Sequence, residues 1–310
     1  MLFFSTDTTI NLPQQSIITI GTFDGVHGGH QQILQQLRDM AAQRRSTSTV
    51  ITFEPHPRWV LQKGDFKLLS PLAEKRALLA AMGIDNLVVV PFNRAFSEQT
   101  PTAYIANFLV AKFAPQCIVI GYDHRFGHDR SGDMLLLESE SKRYGFEVVE
   151  IPKQVIDNID VSSTKIRIAL QEGNVRLANQ LLGYTYSLEG KVVQGRQLGR
   201  TIGFPTANIG DIATEKLIPA WGVYAVRVQC GNAAMYDGMM NIGNRPTVDG
   251  KSTTIEAHLF DFAGDLYEQT IKVQLVARLR DEQKFSDLAA LQQQLKADIV
   301  AAKSALLGYV

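Results

Sequence analysis

The sequence GTFDGVHGGH occupies Gly21 to His30 and directly follows the apolar run of residues 17–20. The apolar run predicts a short β-strand, and the apolar residues that recur from Ile33 to Ala41 predict a helix beginning near His30. A glycine-rich turn between a strand and a helix directs unpaired backbone N–H groups and the positive end of the helix dipole towards one place. Because two histidines share this turn, the segment predicts a phosphate-binding site that handles nucleotides.

The spacing of His27 and His30 is also compatible with other uses. Two ligands three residues apart can bind a metal, but no third ligand stands at a zinc spacing and the motif HExxH is absent. A turn whose histidines only cap a helix is typical of an isolated HxxH pair. The surrounding glycines favour phosphate binding, because they let a backbone approach a ligand closely.

The composition argues against several classes of protein. The 310 residues are 45% hydrophobic, which is enough for one large or two ordinary domains. Thirty-one basic residues balance thirty-one acidic ones, so no overall charge attracts nucleic acid or an anionic membrane. No apolar stretch approaches the ~20 residues that cross a bilayer, and the first residues lack a leader pattern. We expect a cytoplasmic protein that binds neither nucleic acid nor membrane.

Two patterns of secondary structure divide the chain. In the first half, apolar strands alternate with helices, as in a parallel sheet, and the strands are predicted at 17–20, 49–53, 87–91, 118–121 and 148–151. After Gly183, short alternating runs indicate a small antiparallel barrel, with strands predicted at 191–193, 223–228, 235–240, 254–260 and 271–275. We expect single helices over 166–182 and 285–307, and domains of residues 1–184 and 185–310.

Three polar segments follow predicted strands of the parallel sheet. They are GTFDGVHGGH, FEPHP (Phe53 to Pro57) and GYDHRFG (Gly121 to Gly127). Ligands of open parallel sheets bind at the carboxyl ends of the strands. We therefore expect these segments to converge on one crevice.

A further motif, SSTKIR, ends the first half at Ser162 to Arg167. Ser163 and Thr164 suit the cap of a helix that Lys165 opens, and the two basic side chains offer hydrogen-bond donors to a triphosphate. Taken alone, the motif is more typical of an ordinary helix start with solvated cations.

The second half has a glycine-rich segment of its own, GRQLGRTIGFPTAN, from Gly195 to Asn208. Its glycines let a backbone approach a phosphate, and its arginines neutralise one. A P-loop kinase is excluded, because Arg245 stands where a Walker sequence ending in Gly250-Lys251-Ser252 needs glycine. Glu256 belongs to an alternating strand, so its face is either solvated or, with His258, the wall of a cleft.

Together the motifs resemble the bacterial bifunctional riboflavin kinase/FMN adenylyltransferase (FAD synthetase) family over nearly the whole chain. GTFDGVHGGH and SSTKIR resemble its HxGH signature, whereas GRTIGFPTAN, NIGNRPT (Asn241 to Thr247) and EAHLFD (Glu256 to Asp261) resemble its kinase module. The resemblance implies an α/β Rossmann-like nucleotidylyltransferase domain, then a β-barrel riboflavin kinase domain with a C-terminal helix. The barrel would phosphorylate riboflavin to FMN with ATP and Mg²⁺, and the first domain would join FMN to AMP from ATP, giving FAD and pyrophosphate.

The resemblance also implies roles for particular residues. For adenylyl transfer it assigns catalysis to His27 and His30, FMN binding to Asp123, Arg125 and Phe126, and ATP binding to Gly21, Phe23, Asp24, Gly25, His27, His30, Ser163, Thr164 and Arg167. For the kinase it assigns the base to Glu256, the metal to Thr206 and Asn208, the flavin to Glu256, Asn241 and Arg245, and ATP to Gly195, Gly199, Arg200, Gly203 and Thr206.

Three positions depart from the family pattern, one of which is Glu268, where glycine is common. Thr22 stands where Asn is usual, and His124 stands where Phe is usual. An imidazole stacks on a flavin less well and can carry charge near neutral pH, which puts affinity rather than the reaction in question. Two alternatives stay open: an HxGH transferase for another small phosphate with a regulatory barrel, and a non-catalytic flavin or nucleotide sensor.

Overall fold

Six parallel strands form one sheet in the first half of the chain in the computed structural model. They are β1 (Leu2–Ser5), β2 (Ser16–Ile20), β3 (Thr47–Glu54), β4 (Asn86–Pro91), β5 (Cys117–Gly121) and β6 (Glu147–Ile151). Across the sheet their order is β1-β4-β3-β2-β5-β6. The order reverses at β2, so the crevice that takes ligands in such sheets lies beyond the carboxyl ends of β2 and β5.

The structure describes residues 1–5, 16–62, 65–152, 161–195, 198–231, 234–247 and 250–309, with the backbone alone at 198, 245–247 and 250–252. They form two compact units, residues 1–162 and 163–310. The helical segment that begins at Ser163 therefore groups with the barrel, and the domain boundary between 184 and 185 stays a prediction.

Helices cover both faces of the sheet in the first unit. They are α1 (Gly28–Gln43), α2 (Pro57–Leu61), α3 (Leu72–Ala81), α4 (Arg94–Ser97), α5 (Pro101–Ala103), which continues as a π-helix (Tyr104–Val110) into α6 (Ala111–Phe113), and α7 (Met134–Tyr144). Alternate residues of β2 enter two different cores: Ile17 packs with α1, and Ile18 packs with the π-helix. The five predicted strands are confirmed, whereas β1 was not predicted.

The second unit is a closed antiparallel barrel with helices at its start and end. Its elements are α8 (Ser163–Gln171), α9 (Val175–Leu182), β7 (Ser187–Val193), α10 (Leu198–Thr201), β8 (Ala207–Gly210), β9 (Gly222–Cys230), β10 (Ala234–Thr247), β11 (Gly250–Leu259), β12 (Thr270–Arg280) and α11 (Leu288–Leu307). Around the barrel the order is β10-β11-β8-β7-β12-β9. The predicted barrel is confirmed, and β8 is the strand that the alternation did not reveal.

Two helix predictions for this unit were wrong in part. The single helix expected over 166–182 is two helices, because Gly173 adopts a left-handed φ of 77° between them. The last helix begins at Leu288, where the Asp287 carboxylate caps it, and not at Phe285. Ala302 and Leu306 pack against the barrel, whereas Leu288 is 65% exposed and lies off the packed face. Within the described ranges, no helix combines the length and apolar character that crossing a membrane requires.

Candidate active sites

The turn between β2 and α1 brings the two predicted histidines into contact. His27 is the cap residue of α1, and His30 lies in its first turn. Their rings stack with 3.7 Å between centroids and 17° between planes, and the Phe23 ring meets His30 edge-on at 5.2 Å. The pair therefore lies at the N-terminus of a helix, where backbone N–H groups bind anions.

This turn has an unusual backbone that is held from a neighbouring loop. Phe23 and Val26 have φ values of 45° and 38°, which side chains rarely adopt. The Asp24 carboxylate, which is 1% exposed, accepts hydrogen bonds at 3.0 Å from the backbone N–H groups of Leu69 and Ser70. The Gly25 N–H donates to the Ser70 hydroxyl at 2.7 Å. In the described contacts, Asp24 and Gly25 shape the turn, and their predicted contact with ATP stays untested.

The His30 imidazole is electrically neutral in the folded protein near neutral pH. Burial holds the pKa of His30 well below its ordinary value, because an imidazolium loses its hydration there. The neighbouring His27 and Lys75 lower the pKa of His30 further. A neutral imidazole presents one N–H donor. The site can therefore donate hydrogen bonds to phosphate oxygens without a fixed positive charge on His30.

The segment after β5 holds the residues predicted to bind FMN. The Phe126 ring is 6% exposed and stacks on Tyr104 at 5.3 Å, and the His124 ring lies 5.9 Å from it. Asp123 is exposed, and Arg125 pairs with Asp133 at 3.1 Å. The Phe126 ring therefore packs into the core and anchors the segment from Gly121 to Gly127 there.

His124 does not behave as its sequence position led us to expect. Burial lowers the pKa of His124 to about 4. The Asp123 carboxylate opposes this shift, and the Arg130 cation adds to it. The imidazole is therefore uncharged near neutral pH, so the charge that the sequence left possible is not present there. Because the His124 ring is neutral and lies near Phe126, it still offers an aromatic surface at the position where the family usually has Phe.

The two remaining motifs of the first half, FEPHP and SSTKIR, each lie at the start of a helix. His56 of FEPHP caps α2, since its Nδ1 accepts a hydrogen bond from the Arg58 N–H at 3.1 Å. Helix α8 begins at Ser163, so Lys165 does not open it as expected. Ser163, Thr164 and Arg167 belong to the second unit, and their binding of ATP stays a prediction.

Three predicted kinase residues lie in one row across the barrel. Glu256 on β11 is opposite Asn208 on β8 and, on its other side, opposite Asn241 on β10. Residues directly opposite each other in antiparallel strands project from the same face. Thr206, just before β8, donates a hydrogen bond from its hydroxyl to Glu256 Oε2 at 3.2 Å. Residues from three separate motifs thus meet at one place.

The row lies on the outer face of the barrel, where the glycine-rich segment covers it. Ile255 and Ala257 are buried on the opposite face, whereas Glu256 and His258 are half-buried. His258 Nδ1 lies within hydrogen-bond distance, 2.7 Å, of the Pro205 carbonyl oxygen. Of the two interpretations of this face, the structure supports the wall of a cleft.

The glycines of this segment allow it to fold closely. A Cβ atom on Gly195 would overlap the Asn208 carboxamide, and one on Gly199 would overlap the Phe204 carbonyl oxygen. The Phe204 N–H donates to the Gly199 carbonyl at 2.8 Å, and Gly203 has a φ of 84°. Arg200 is exposed on this loop. The Arg245 side chain and residues 196–197 lie outside the described part of the chain.

The donors around Glu256 fit a hard divalent cation. The Thr206 hydroxyl, the Asn208 amide and the Glu256 carboxylate supply oxygen, which such cations prefer, and phosphates and waters usually complete the shell. In the part of the chain that the structure describes, no three His, Cys, Asp or Glu residues form a metal-binding group. A cation here would therefore depend on hydroxyl and amide oxygens together with its substrate.

Sequence reasoning missed the residues that support the histidine turn. The Ser70 hydroxyl accepts a hydrogen bond from the Gly25 N–H, and α3 begins at Leu72, one residue after Pro71. Lys75 is only 2% exposed. A single lysine carries no sequence pattern that predicts burial, so only the fold reveals it.

Two family models match the chain. A model described as FAD synthetase covers residues 9–165, and one described as riboflavin kinase covers residues 182–306. The chain belongs to the bifunctional riboflavin kinase/FMN adenylyltransferase family. The family member of that name from Escherichia coli K12 is 39% identical over 294 residues, or 94% of this chain and 93% of that protein. The one from Haemophilus influenzae is 38% identical over 292 residues, 94% of each chain.

The family assignment agrees with the geometry of each unit. The FAD synthetase match contains strands β2 to β6 of the sheet and the histidine pair, and the riboflavin kinase match contains the barrel and Glu256. The two predicted activities and their order along the chain are confirmed. A crystal structure described as a macrolide-efflux protein from Streptococcus pneumoniae has a TM-score of 0.88 and is 32% identical, covering 98% of this chain and 99% of that one. The two chains share a fold, whatever activity that description gives the other protein.

Proposed function

We propose that the second unit phosphorylates riboflavin with ATP at the Glu256 row and that the first unit adenylylates the resulting FMN at the histidine turn. The observation that carries this proposal is that each unit assembles its own set of polar groups from separate motifs. In the barrel, Thr206 meets Glu256 at 3.2 Å, and in the sheet, His27 stacks on His30 at 3.7 Å. Two different transfers then occur at two different sites.

In the kinase step, Glu256 acts as the general base. Its carboxylate accepts the proton of the ribityl 5′-hydroxyl as that oxygen bonds to the γ-phosphorus of ATP and the bond to the β-phosphate oxygen breaks. Asn241, opposite Glu256, and Arg245 orient the flavin. Gly195, Gly199, Arg200 and Gly203 form the loop around the phosphates.

Thr206 and Asn208 are the residues that would hold Mg²⁺. Their neutral oxygens match its preference, and their place beside Glu256 puts it near the reacting groups. When bound, the ion neutralises charge on the phosphates of ATP. Glu256 remains available as base because these two neighbours supply oxygen ligands of their own.

In the adenylyl step, the nucleophile needs no base. The phosphate of FMN is already an anion, and its oxygen attacks the α-phosphorus of ATP while the bond to pyrophosphate breaks. The imidazole N–H groups of His27 and His30 and the N-terminus of α1 donate to the charge that grows on the phosphates. We expect direct transfer without a covalent enzyme intermediate. Gly21 and Phe23 shape the approach to this turn, and Asp123, Arg125 and the neutral ring of His124 face the flavin.

One incubation separates this proposal from its alternatives. The purified chain, given riboflavin, ATP and Mg²⁺, should produce FMN and then FAD, which chromatography resolves by flavin fluorescence. A transferase with only a regulatory barrel would leave riboflavin unchanged but would still adenylylate added FMN or another phosphate. A sensor would produce neither product. Omitting Mg²⁺ tests the cation, since FMN formation should then stop. We place both reactions in the cytoplasm, where ATP is abundant.

A further inference from the structure

A buried lysine lies behind the histidine turn. Lys75, in the first turn of α3, is 2% exposed. Its ammonium Nζ donates to the Thr52 hydroxyl at 3.4 Å, and that hydroxyl donates to the Thr22 carbonyl at 3.2 Å. Thr52 is itself fully buried near the end of β3. A chain of hydrogen bonds thus links α3, β3 and the turn that carries the histidines.

The charges around Lys75 explain how it is accommodated. Burial lowers the pKa of Lys75, and the Asp24 and Glu54 carboxylates oppose that effect. Asp24 is the same carboxylate that holds the Leu69 and Ser70 backbone. Burying an ammonium is unfavourable unless it is paired and hydrogen-bonded, and the described residues contain only one other buried lysine, Lys216 in the second unit. The position of Lys75 therefore calls for an explanation beyond packing.

Lys75 also acts on the histidine pair across the turn. The positive charges of Lys75 and of a protonated His27 both disfavour a second cation at His30, in addition to burial. Asp24 and Glu54 are the acidic groups that act on Lys75 itself. The hydrogen bonds fix the backbone at Thr22, and the charge acts on the His30 imidazole in the first turn of α1.

We propose that Lys75 is a positioning residue of the adenylyltransferase site, which fixes the turn that carries the histidine pair through its hydrogen bond to Thr52. The inference rests on the proposed binding of ATP at the histidine pair. Lys75 itself does not touch the substrate. Lys75 acts through the hydrogen bonds that lead to the Thr22 carbonyl and through the electrostatic effect of its positive charge on His30.

The test compares Lys75→Met with Lys216→Met, which removes the buried lysine of the other unit. Lys75→Met should lower kcat for converting FMN to FAD roughly 100-fold, because small misplacement of reacting groups has effects of that size. The KM values for ATP and FMN should change by less than about threefold. NMR titration of labelled His30 should show its midpoint moving to higher pH. Lys216→Met should leave the adenylylation kcat and the His30 midpoint unchanged.

Two further variants make the outcome decisive. Lys75→Arg retains the charge, so the His30 midpoint should stay near that of the wild type even where kcat falls. Thr52→Val keeps the shape of the core but removes the hydroxyl, and it should lower kcat roughly tenfold. If Lys75→Met folds with kcat within about twofold of the wild type and an unmoved His30 midpoint, the inference is wrong. If Lys75→Met does not fold, an unchanged kcat in Thr52→Val overturns it.

His30→Ala, assayed in parallel, separates this inference from the site on which it rests. Loss of FAD formation in His30→Ala with full activity in Lys75→Met would reject only the role of Lys75. Full activity in His30→Ala would reject the proposed ATP site, whatever the lysine variants do.

Discussion

Asn208 lies directly opposite Glu256 where β8 pairs with β11. This pairing brings a residue of the glycine-rich segment next to the proposed base, although the two are far apart in sequence. A shift of one residue in the register would turn Glu256 to the inner face of the barrel. The backbone pairing of β8 with β11 therefore sets the relative position of the proposed metal ligand and the proposed base.

Replacing Thr206 by valine should impair the kinase reaction and its use of Mg²⁺. Valine keeps the shape but lacks the hydroxyl that donates to Glu256 at 3.2 Å and that we assign to the cation. We expect kcat for FMN formation to fall roughly 10- to 100-fold, with a higher half-saturating Mg²⁺ concentration. Thr206→Ser keeps the hydroxyl and is the matched control. Equal Mg²⁺ dependence of the valine and serine variants would argue against Thr206 as a ligand.

Adding one methyl group at Gly195 should also impair the kinase reaction. The new Cβ atom would overlap the Asn208 carboxamide, so the Asn208 side chain must leave its present position beside Glu256. Steady-state assays of Gly195→Ala should show reduced FMN formation, while adenylylation of added FMN continues. Gly308→Ala has free space around the new Cβ atom and should behave as the wild type. An unimpaired kinase in Gly195→Ala would show that the position of Asn208 is not critical.

His124 should make the first unit sensitive to acid. Its pKa is about 4 in the folded protein against an ordinary value of 6.5, so between these values the unfolded chain binds more protons. Stability is then intact above about pH 6.5 and falls as the pH is lowered towards about 4, by at most on the order of 3 kcal/mol. Urea unfolding at several pH values measures this loss. His124→Phe should show a smaller loss over the same range, and an equal loss in both proteins would refute the assignment to His124.

Asp24→Asn should destabilise the first unit. The carboxylate accepts backbone hydrogen bonds at 3.0 Å from both Leu69 and Ser70 while almost fully buried. Hydrogen bonds to charged groups contribute about 1.5–3 kcal/mol each, so a loss of about 2–4 kcal/mol in the unfolding free energy is expected. Asp65→Asn removes the exposed ion pair between Asp65 and Lys67, and it should change the free energy of unfolding little. Denaturant titration of both variants provides the comparison, and equal stability would remove the anchoring role of Asp24.

The sequence pattern predicted the parts of the fold that have strong local signals. The buried strands from β2 to β6 and the outward position of Glu256 follow from apolar runs and alternation. Strand β1 has four residues and β8 has four, which is too short for a clear period. Gly173 was overlooked as a helix end because apolar residues continue on both sides of it.

The sites were less predictable than the fold. Motifs identified the histidine pair and the kinase residues, but no pattern indicated that Lys75 is buried behind the turn. Such a contact depends on which elements pack together, and local sequence does not encode it. The sequence left the charge of His124 open for the same reason, since the pKa of His124 depends on its burial in the fold.

The most direct test of two independent sites uses two variants and both reactions. A protein with His27→Ala and His30→Ala should convert riboflavin to FMN at nearly the normal rate and form no detectable FAD. Glu256→Gln should lose FMN formation by a factor of roughly 10² to 10⁴ while it adenylylates added FMN normally, and Glu189→Gln, an exposed carboxylate on β7, should retain both. Measuring FMN and FAD together in each protein decides the matter: opposite losses agree with this account, and parallel losses of both products in folded variants would contradict it.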